Sequence, residues 1–250
     1  MSDFNTIWED FELPSKGMIY DKPVNPKISL RSMTTLEEMK RLSPSDTPYK
    51  VMSDIIEGCM KEKPDIHVHD MCEGDYQFLL HKLRIVTYGP EYKMFVTCPN
   101  CKETTESIAD LESLEVNTWT PDITKDMLIV LPKTNKEIEL RFQTPRDLDT
   151  IVYRDKEMKK KTKQNVDYSL LFTVMSVIKK VDGRVLTDMQ LQEFVKELPL
   201  KDVNFILNKA SELNNKVGLN TEIVAKCSLC GAEVKSNFRS SREFFGPTNY

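Results

Sequence analysis

The apolar positions of this chain change period several times, and each change predicts an element. Residues 1–33 carry no helical stripe. Pro14 and Gly17 break helix, and the stretch from Ile28 to Met33 alternates apolar with polar, as a half-buried strand does. This extended arm reads either as a first strand or as a docking strand for another chain's sheet edge. Thr35 with Glu38 three residues on predicts a capping box opening a short helix to Leu42, which Ser43 and Pro44 end. Thr47 and Pro48 open a second helix, with Val51, Met52, Ile55, Ile56, Cys59 and Met60 on one stripe. A third is predicted over 75–86, with Tyr76, Leu79, Leu80 and Leu83 inward, ended by Gly89 and Pro90.

Further on, apolar runs at 127–131 and 138–142 flank Lys133, Thr134, Asn135 and Lys136, a hairpin pattern. Thr144 and Pro145 start a helix toward Lys163. Another is predicted over 168–180 with Leu171, Val174, Met175 and Ile178 inward, then a tight turn at Asp182 and Gly183. Two more helices follow, near 188–198 and 201–214.

Cysteine spacing changes the picture most. Cys98–Pro99–Asn100–Cys101 and Cys227–Ser228–Leu229–Cys230 are two Cys-x-x-Cys pairs, each with short β-branched runs on both sides. A knuckle of this spacing aims two thiolates at one metal, and two knuckles complete a closed, tetrahedral, structural site. The expectation is one zinc per chain, held by Cys98, Cys101, Cys227 and Cys230. Redox dithiols, or four buried thiols, are the plainer alternatives. The predicted fold is α+β: a split zinc-ribbon-like module of two β-hairpin knuckles, a mainly helical N-terminal part and a long α+β insertion. The expected divisions are an arm at 1–33, a helical region at 34–97, the split module at 98–108 with 219–250, and the insertion at 109–218.

Composition then narrows the function classes. The chain has 250 residues, 40% of them hydrophobic, which is enough for a real core. A net charge of −4 gives no general attraction to nucleic acid or anionic membranes. No apolar run reaches the roughly 20 residues a membrane helix needs. The first ten residues lack the basic and apolar regions of a signal peptide, so a reducing compartment is expected for the six cysteines. Cys59 falls on the apolar stripe of the second helix, and Cys72 has no evident role. His67 and His69 would share a face on a strand and offer two metal ligands, although a surface loop explains them as well. His81 stands alone on a predicted helix. The basic run from Lys159 to Lys163 suits phosphate contact or a solvated helix end. Phe244 and Phe245 either pack over the zinc module or anchor a partner. No Gly-rich phosphate loop, nucleophile elbow or metalloprotease helix is present, and no catalytic residue is expected.

Several stretches together resemble a known family. They are Leu13–Pro14–Ser15–Lys16–Gly17 with Tyr20, the run from Leu30 to Glu38, the run from Leu83 to Gly89, both knuckles, and Phe244–Phe245–Gly246–Pro247. In these the chain resembles the baseplate hub and hub-assembly proteins of T-even-type bacteriophages. The region from about 110 to 165 adds little. The resemblance implies a non-enzymatic, late-stage role in tail morphogenesis. Partners would be other hub or tail proteins, and the setting the host cytoplasm during assembly or the virion tail baseplate. A zinc-ribbon nucleic-acid-binding module is the competing reading; it needs basic and aromatic residues clustered at the knuckles.

Overall fold

Two apolar cores and a small sulfur-bearing cluster organise the chain in the computed structural model, which describes residues 6–163, 166–237 and 242–245. The molecule is an α+β protein of helices and small antiparallel sheets. In the first core, β1 (Glu9–Glu12) and β2 (Lys27–Leu30) pair antiparallel, with Phe11 opposite Ile28. The extended segment thus finds its strand partner within its own chain. Three helices follow: α1 (Thr35–Leu42), α2 (Pro48–Gly58) and α3 (Glu73–Tyr88). Leu13, Leu30, Ile56, Cys59, Met71, Leu79 and Leu83 close this core without appreciable exposure.

Helix α1 starts one residue earlier than its capping pattern predicts. Thr34 is the N-cap, and its backbone N–H donates to the Glu37 carboxylate at 2.7 Å. Glu38 has the same spacing from Thr35, but it is drawn away by Arg41 at 2.6 Å. Glu37 is held from behind by Arg31 at 2.9 Å. The result is a helix turned inside out. Glu37 is buried, whereas Leu36, Met39 and Leu42, spaced at three residues, are 58%, 62% and 66% exposed.

A buried carboxylate pins the Leu13–Gly17 stretch to α3. Asp75 accepts from the Ser15 backbone N–H at 2.9 Å, from the Ser15 hydroxyl at 2.5 Å and from the Tyr20 hydroxyl at 2.6 Å. Burial raises the Asp75 carboxyl even against these donors, and burial above all keeps the Tyr20 phenol protonated and donating. Cys72 proves to be the N-cap of α3, its sulfur accepting from the Asp75 N–H at 3.4 Å. Near the other end of α3, fully buried Arg84 donates to the carbonyls of Phe244 (3.0 Å), Gly89 (2.5 Å) and Glu91 (3.1 Å). Gly89 turns the chain there with φ of 86°, a conformation open to glycine. Phe244 and Phe245 do pack, but into this first core rather than over the cysteines. Phe244 stacks on His81 and meets Tyr92 edge-on, because Arg84 holds its carbonyl beside α3. Gly246 and Pro247 lie outside the described residues.

From α3 the chain enters the hairpin β3 (Glu91–Thr97) and β4 (Thr104–Asp110). Then β5 (Val116–Asn117) and α4 (Ile123–Asp126) lead into the second core, built on the sheet β6 (Leu128–Val130), β7 (Glu137–Leu140) and β8 (Ile178–Val181). Helices α5 (Pro145–Thr162), α6 (Ser169–Val177), α7 (Asp188–Glu197) and α8 (Leu200–Asn214) cover it. The predicted helix over 168–180 ends early, at Val177, because the next four residues pair as β8 with β7. Ile178 is buried in either conformation, so its position cannot distinguish them. Lys180 crosses to Glu139 at 2.7 Å, a pair made on the sheet. The turn at Asp182 and Gly183 forms as expected, both with positive φ.

The chain returns through β9 (Gly218–Leu219), which pairs with β5, and ends in the hairpin β10 (Glu222–Lys226) and β11 (Glu233–Asn237). At this return Gly218 lies directly against Gly74 of α3. A Cβ on Gly74 would sit 2.1 Å from the Val217 carbonyl oxygen, and one on Gly218 would sit 2.7 Å from the Gly74 Cα.

Gly74→Ala is therefore expected to destabilise the protein by roughly 2–4 kcal/mol in denaturant melts, since only backbone can yield. Gly58→Ala, which meets nothing within 4 Å, is the control and should be neutral or mildly stabilising. A second prediction concerns His81. Its Nε2–H donates to the Leu111 carbonyl at 2.8 Å, and burial first of all depresses its pKa to about 4. The folded state then binds fewer protons than the unfolded, so stability present above about pH 6.5 is lost as pH falls toward 4, by up to roughly 3 kcal/mol. Melts of His81→Gln across pH 4–7 should show most of that slope removed.

Candidate metal centre

Each Cys-x-x-Cys occupies the tip of a two-stranded hairpin, and the two tips are built alike. The Cys98 N–H donates to the Glu103 carbonyl and the Lys102 N–H to the Cys98 carbonyl, both at 2.9 Å. The second knuckle repeats this, with Cys227 bonded to Ala232 and Gly231 to Cys227, again at 2.9 Å. The residue after the second cysteine of each pair is left-handed: Lys102 at φ 64° and Gly231 at φ 71°. Gly231 takes that conformation freely; Lys102 takes it at a cost of about 1 kcal/mol.

The hairpins pack together, β10 along β4 and β11 against β3. Val96 and Val234 close a small apolar cluster with Cys98 and Cys227. All four sulfurs lie within 4.8 Å of one another. Between the knuckles, the Cys98 sulfur lies 3.6 Å from that of Cys230 and the Cys101 sulfur 3.7 Å from that of Cys227. These distances exceed a disulfide bond of about 2.05 Å by far. Sequence separations of 132 and 126 residues are thus reduced to one contact shell. Cys98 and Cys227 are buried, Cys101 is half-buried and Cys230 is exposed.

Backbone donors aim at the sulfurs. The Cys230 N–H and then the Leu229 N–H lower the Cys227 thiol to about 6. The Ala232 N–H lowers Cys230, helped by the Asn100 amide at 3.7 Å. Cys101 stands at about 11: the Glu103 N–H pulls it down, and desolvation and its three thiol neighbours outweigh that pull. A knuckle that stabilises thiolate with its own amides is a ligand set for a soft or borderline cation. Four thiols at this range can hold one metal ion.

The other sequence candidates do not join this site. Residues from Val68 to Asp70 form a short 3-10 turn, not a strand, and the two histidines diverge. His67 is exposed beside Glu57 at 3.3 Å; His69 is buried against Asp149 at 3.0 Å. Asp149 also accepts the Tyr49 and Lys50 N–H groups, capping α2 in place of the Thr47 side chain. Lys159 and Lys160 lie at the end of α5, paired with Asp155 and Glu157. Among the described residues, the four cysteines form the metal-capable cluster. Asn100 was not singled out by sequence reasoning, because a Pro–Asn pair inside a knuckle reads simply as turn.

The chain matches the family described as T4 bacteriophage base plate protein across residues 8–246, nearly its whole length, and it belongs to that family. No curated protein and no solved structure matches it significantly. Membership points to a structural role in the phage tail, with other baseplate proteins as partners. No helix among the described residues is long and apolar enough to cross a membrane.

Replacing one ligand tests the shared site. Cys98→Ser should lower bound metal from one ion per chain toward none, measured by elemental analysis after gel filtration. It should also loosen the two hairpins while largely sparing helical circular dichroism, because the helices pack around two other cores. Unchanged metal content in that variant would rule the shared site out.

Proposed function

We propose that this protein acts without catalysis in building the central hub of the phage baseplate, through protein–protein contacts, on a scaffold stapled by one structural zinc. Family membership supports the setting. The observation that carries the contact role is α1. An amphipathic helix normally turns its apolar face inward. Here Arg31 and Thr34 hold Glu37 inward, so Leu36, Met39 and Leu42 face solvent. Leu42 also lines a groove of about 510 Å3 with Pro48, Tyr49, Met52 and Phe245. Exposed apolar surface of this kind is what a binding protein offers a partner.

Zinc suits the sulfur geometry. Four thiolates at about 2.3 Å from a tetrahedral ion stand about 3.8 Å apart, close to the 3.6 and 3.7 Å separations of these sulfurs. When bound, it supplies folding free energy and, with four protein ligands, no open position for water. Cys98, Cys101, Cys227 and Cys230 would hold it in a split zinc-ribbon-like module.

The nucleic-acid reading is less well supported by charge. Lys93 is paired with Glu106 at 3.4 Å and Lys235 with Glu222 at 2.8 Å, so basic groups on both hairpins are neutralised locally.

Complementation tests the proposal. Supplying the wild-type chain to cells infected with phage deficient in it should restore hub assembly, seen as tailed particles by electron microscopy. Met39→Glu should fold with an unchanged melting temperature, because the side chain is exposed, yet fail to restore assembly. Normal hubs in the absence of the chain would end the proposal.

A further inference from the structure

The two knuckles match in backbone and differ in one side chain. Between its cysteines the first carries Pro99 and Asn100, and the second Ser228 and Leu229. Asn100 and Leu229 hold equivalent positions, and each tip makes the same pair of backbone bonds. Leu229 is 67% exposed and has no side-chain donor. Asn100 instead reaches across to the other knuckle. Its Nδ2–H donates to the Cys230 sulfur at 3.7 Å, over a sequence separation of 130 residues. A thiolate has no proton to give, so the amide presents nitrogen to it rather than oxygen. The turn itself does not call for asparagine. Asn100 is not left-handed, and Leu229 makes the same turn without an amide.

The sulfur that Asn100 meets is the open one of the four. Cys98 and Cys227 are buried, Cys101 is half-buried and Cys230 is exposed. A proton or a competing ligand therefore reaches the cluster at Cys230 without the hairpins parting. A thiolate is nucleophilic and easily protonated, and exposure makes it more so. A hydrogen bond to such a sulfur draws off charge, lowers its reactivity and fixes its direction, as the outer partners of metal ligands do in general.

We propose that Asn100 is a positioning residue of the metal centre: from one knuckle it holds and shields the exposed Cys230 ligand of the other, and so sets how slowly the centre gives up its ion to a competing ligand. The inference rests on the reading that the four thiols bind one structural zinc.

The test uses the full-length protein loaded with zinc, its zinc content measured first. Transfer to excess 4-(2-pyridylazo)resorcinol is followed by absorbance for the wild type, Asn100→Leu and Asn100→Asp. The first variant gives this tip the residue of the other knuckle; the second keeps the shape and removes the donor. Asn100 is exposed, so both variants should keep the helical circular dichroism of the wild type. Both should surrender zinc roughly tenfold faster. A variant that keeps its helices but holds less than one zinc gives the same result at equilibrium. The cobalt(II) forms supply a readout that folding alone does not move. Their thiolate-to-cobalt charge-transfer band should shift to longer wavelength in both variants, because a sulfur without its N–H bond gives up electrons more readily. Wild-type transfer rates at full zinc content, or unshifted bands, would overturn the inference and leave the zinc reading intact. A wild-type chain that binds no metal would overturn both.

Discussion

The structure depends on bringing a distant part of the chain back to where it left. More than a hundred residues intervene between the knuckles, and closing a loop of that length costs about 5 kcal/mol of chain entropy. Three contacts of different kinds share the closure. The sulfurs of Cys101 and Cys227 meet across 126 residues. Strand β9 pairs with β5, with Val116 opposite Leu219. Gly218 rests on Gly74, an approach closed to any residue with a Cβ. Backbone pairing and glycine contact need no metal, so the second core is held to α3 even without one. What the thiol cluster adds is the seating of the last hairpin, whose own apolar cluster is small. A module of that size has too little core of its own to seat itself.

Beyond the last hairpin, a second clamp takes over. Arg84 is buried, has no carboxylate partner among the described residues and spends its donors on three carbonyls. Burial lowers its pKa, yet a guanidinium stays charged, so the bonds to Phe244, Gly89 and Glu91 must compensate its desolvation. The same side chain therefore sets the corner from α3 into β3 and the position of the closing aromatics. The thiol cluster and the arginine clamp together fix both the turn out of the first core and the return to it.

Legibility in the sequence followed the range of the interaction. Helices with a regular stripe, such as α2, α3 and α8, were readable because their period is local. The knuckles were readable because ligand spacing within each pair is local too, and matched flanks named the hairpins. Convergence of the pairs rested on chemical inference, and the sulfur separations agree with it. What sequence could not reveal were choices made at a distance. Glu37 rather than Glu38 serves the cap because Arg31 reaches back to it. Residues 178–181 become strand because β7 lies beside them. Asp149 caps a helix about a hundred positions away. Motif stretches that carried the family resemblance, around Ser15, Tyr20, Arg31 and Arg84, turn out to be parts of these long-range contacts. No periodicity marks them.

This distribution bears on how such a protein can work. Its polar interactions are spent inward, on Asp75, Asp149, Asp202 and Arg84, where they fix one arrangement of elements. Its unspent capacity lies at the apolar face of α1. Rigid framing with a few open contact positions lowers the ordering cost of association, because little in the protein has to move when a partner arrives. The inverted α1 makes the same point energetically. Exposing three large apolar side chains is unfavourable in isolation and becomes favourable only when something covers them.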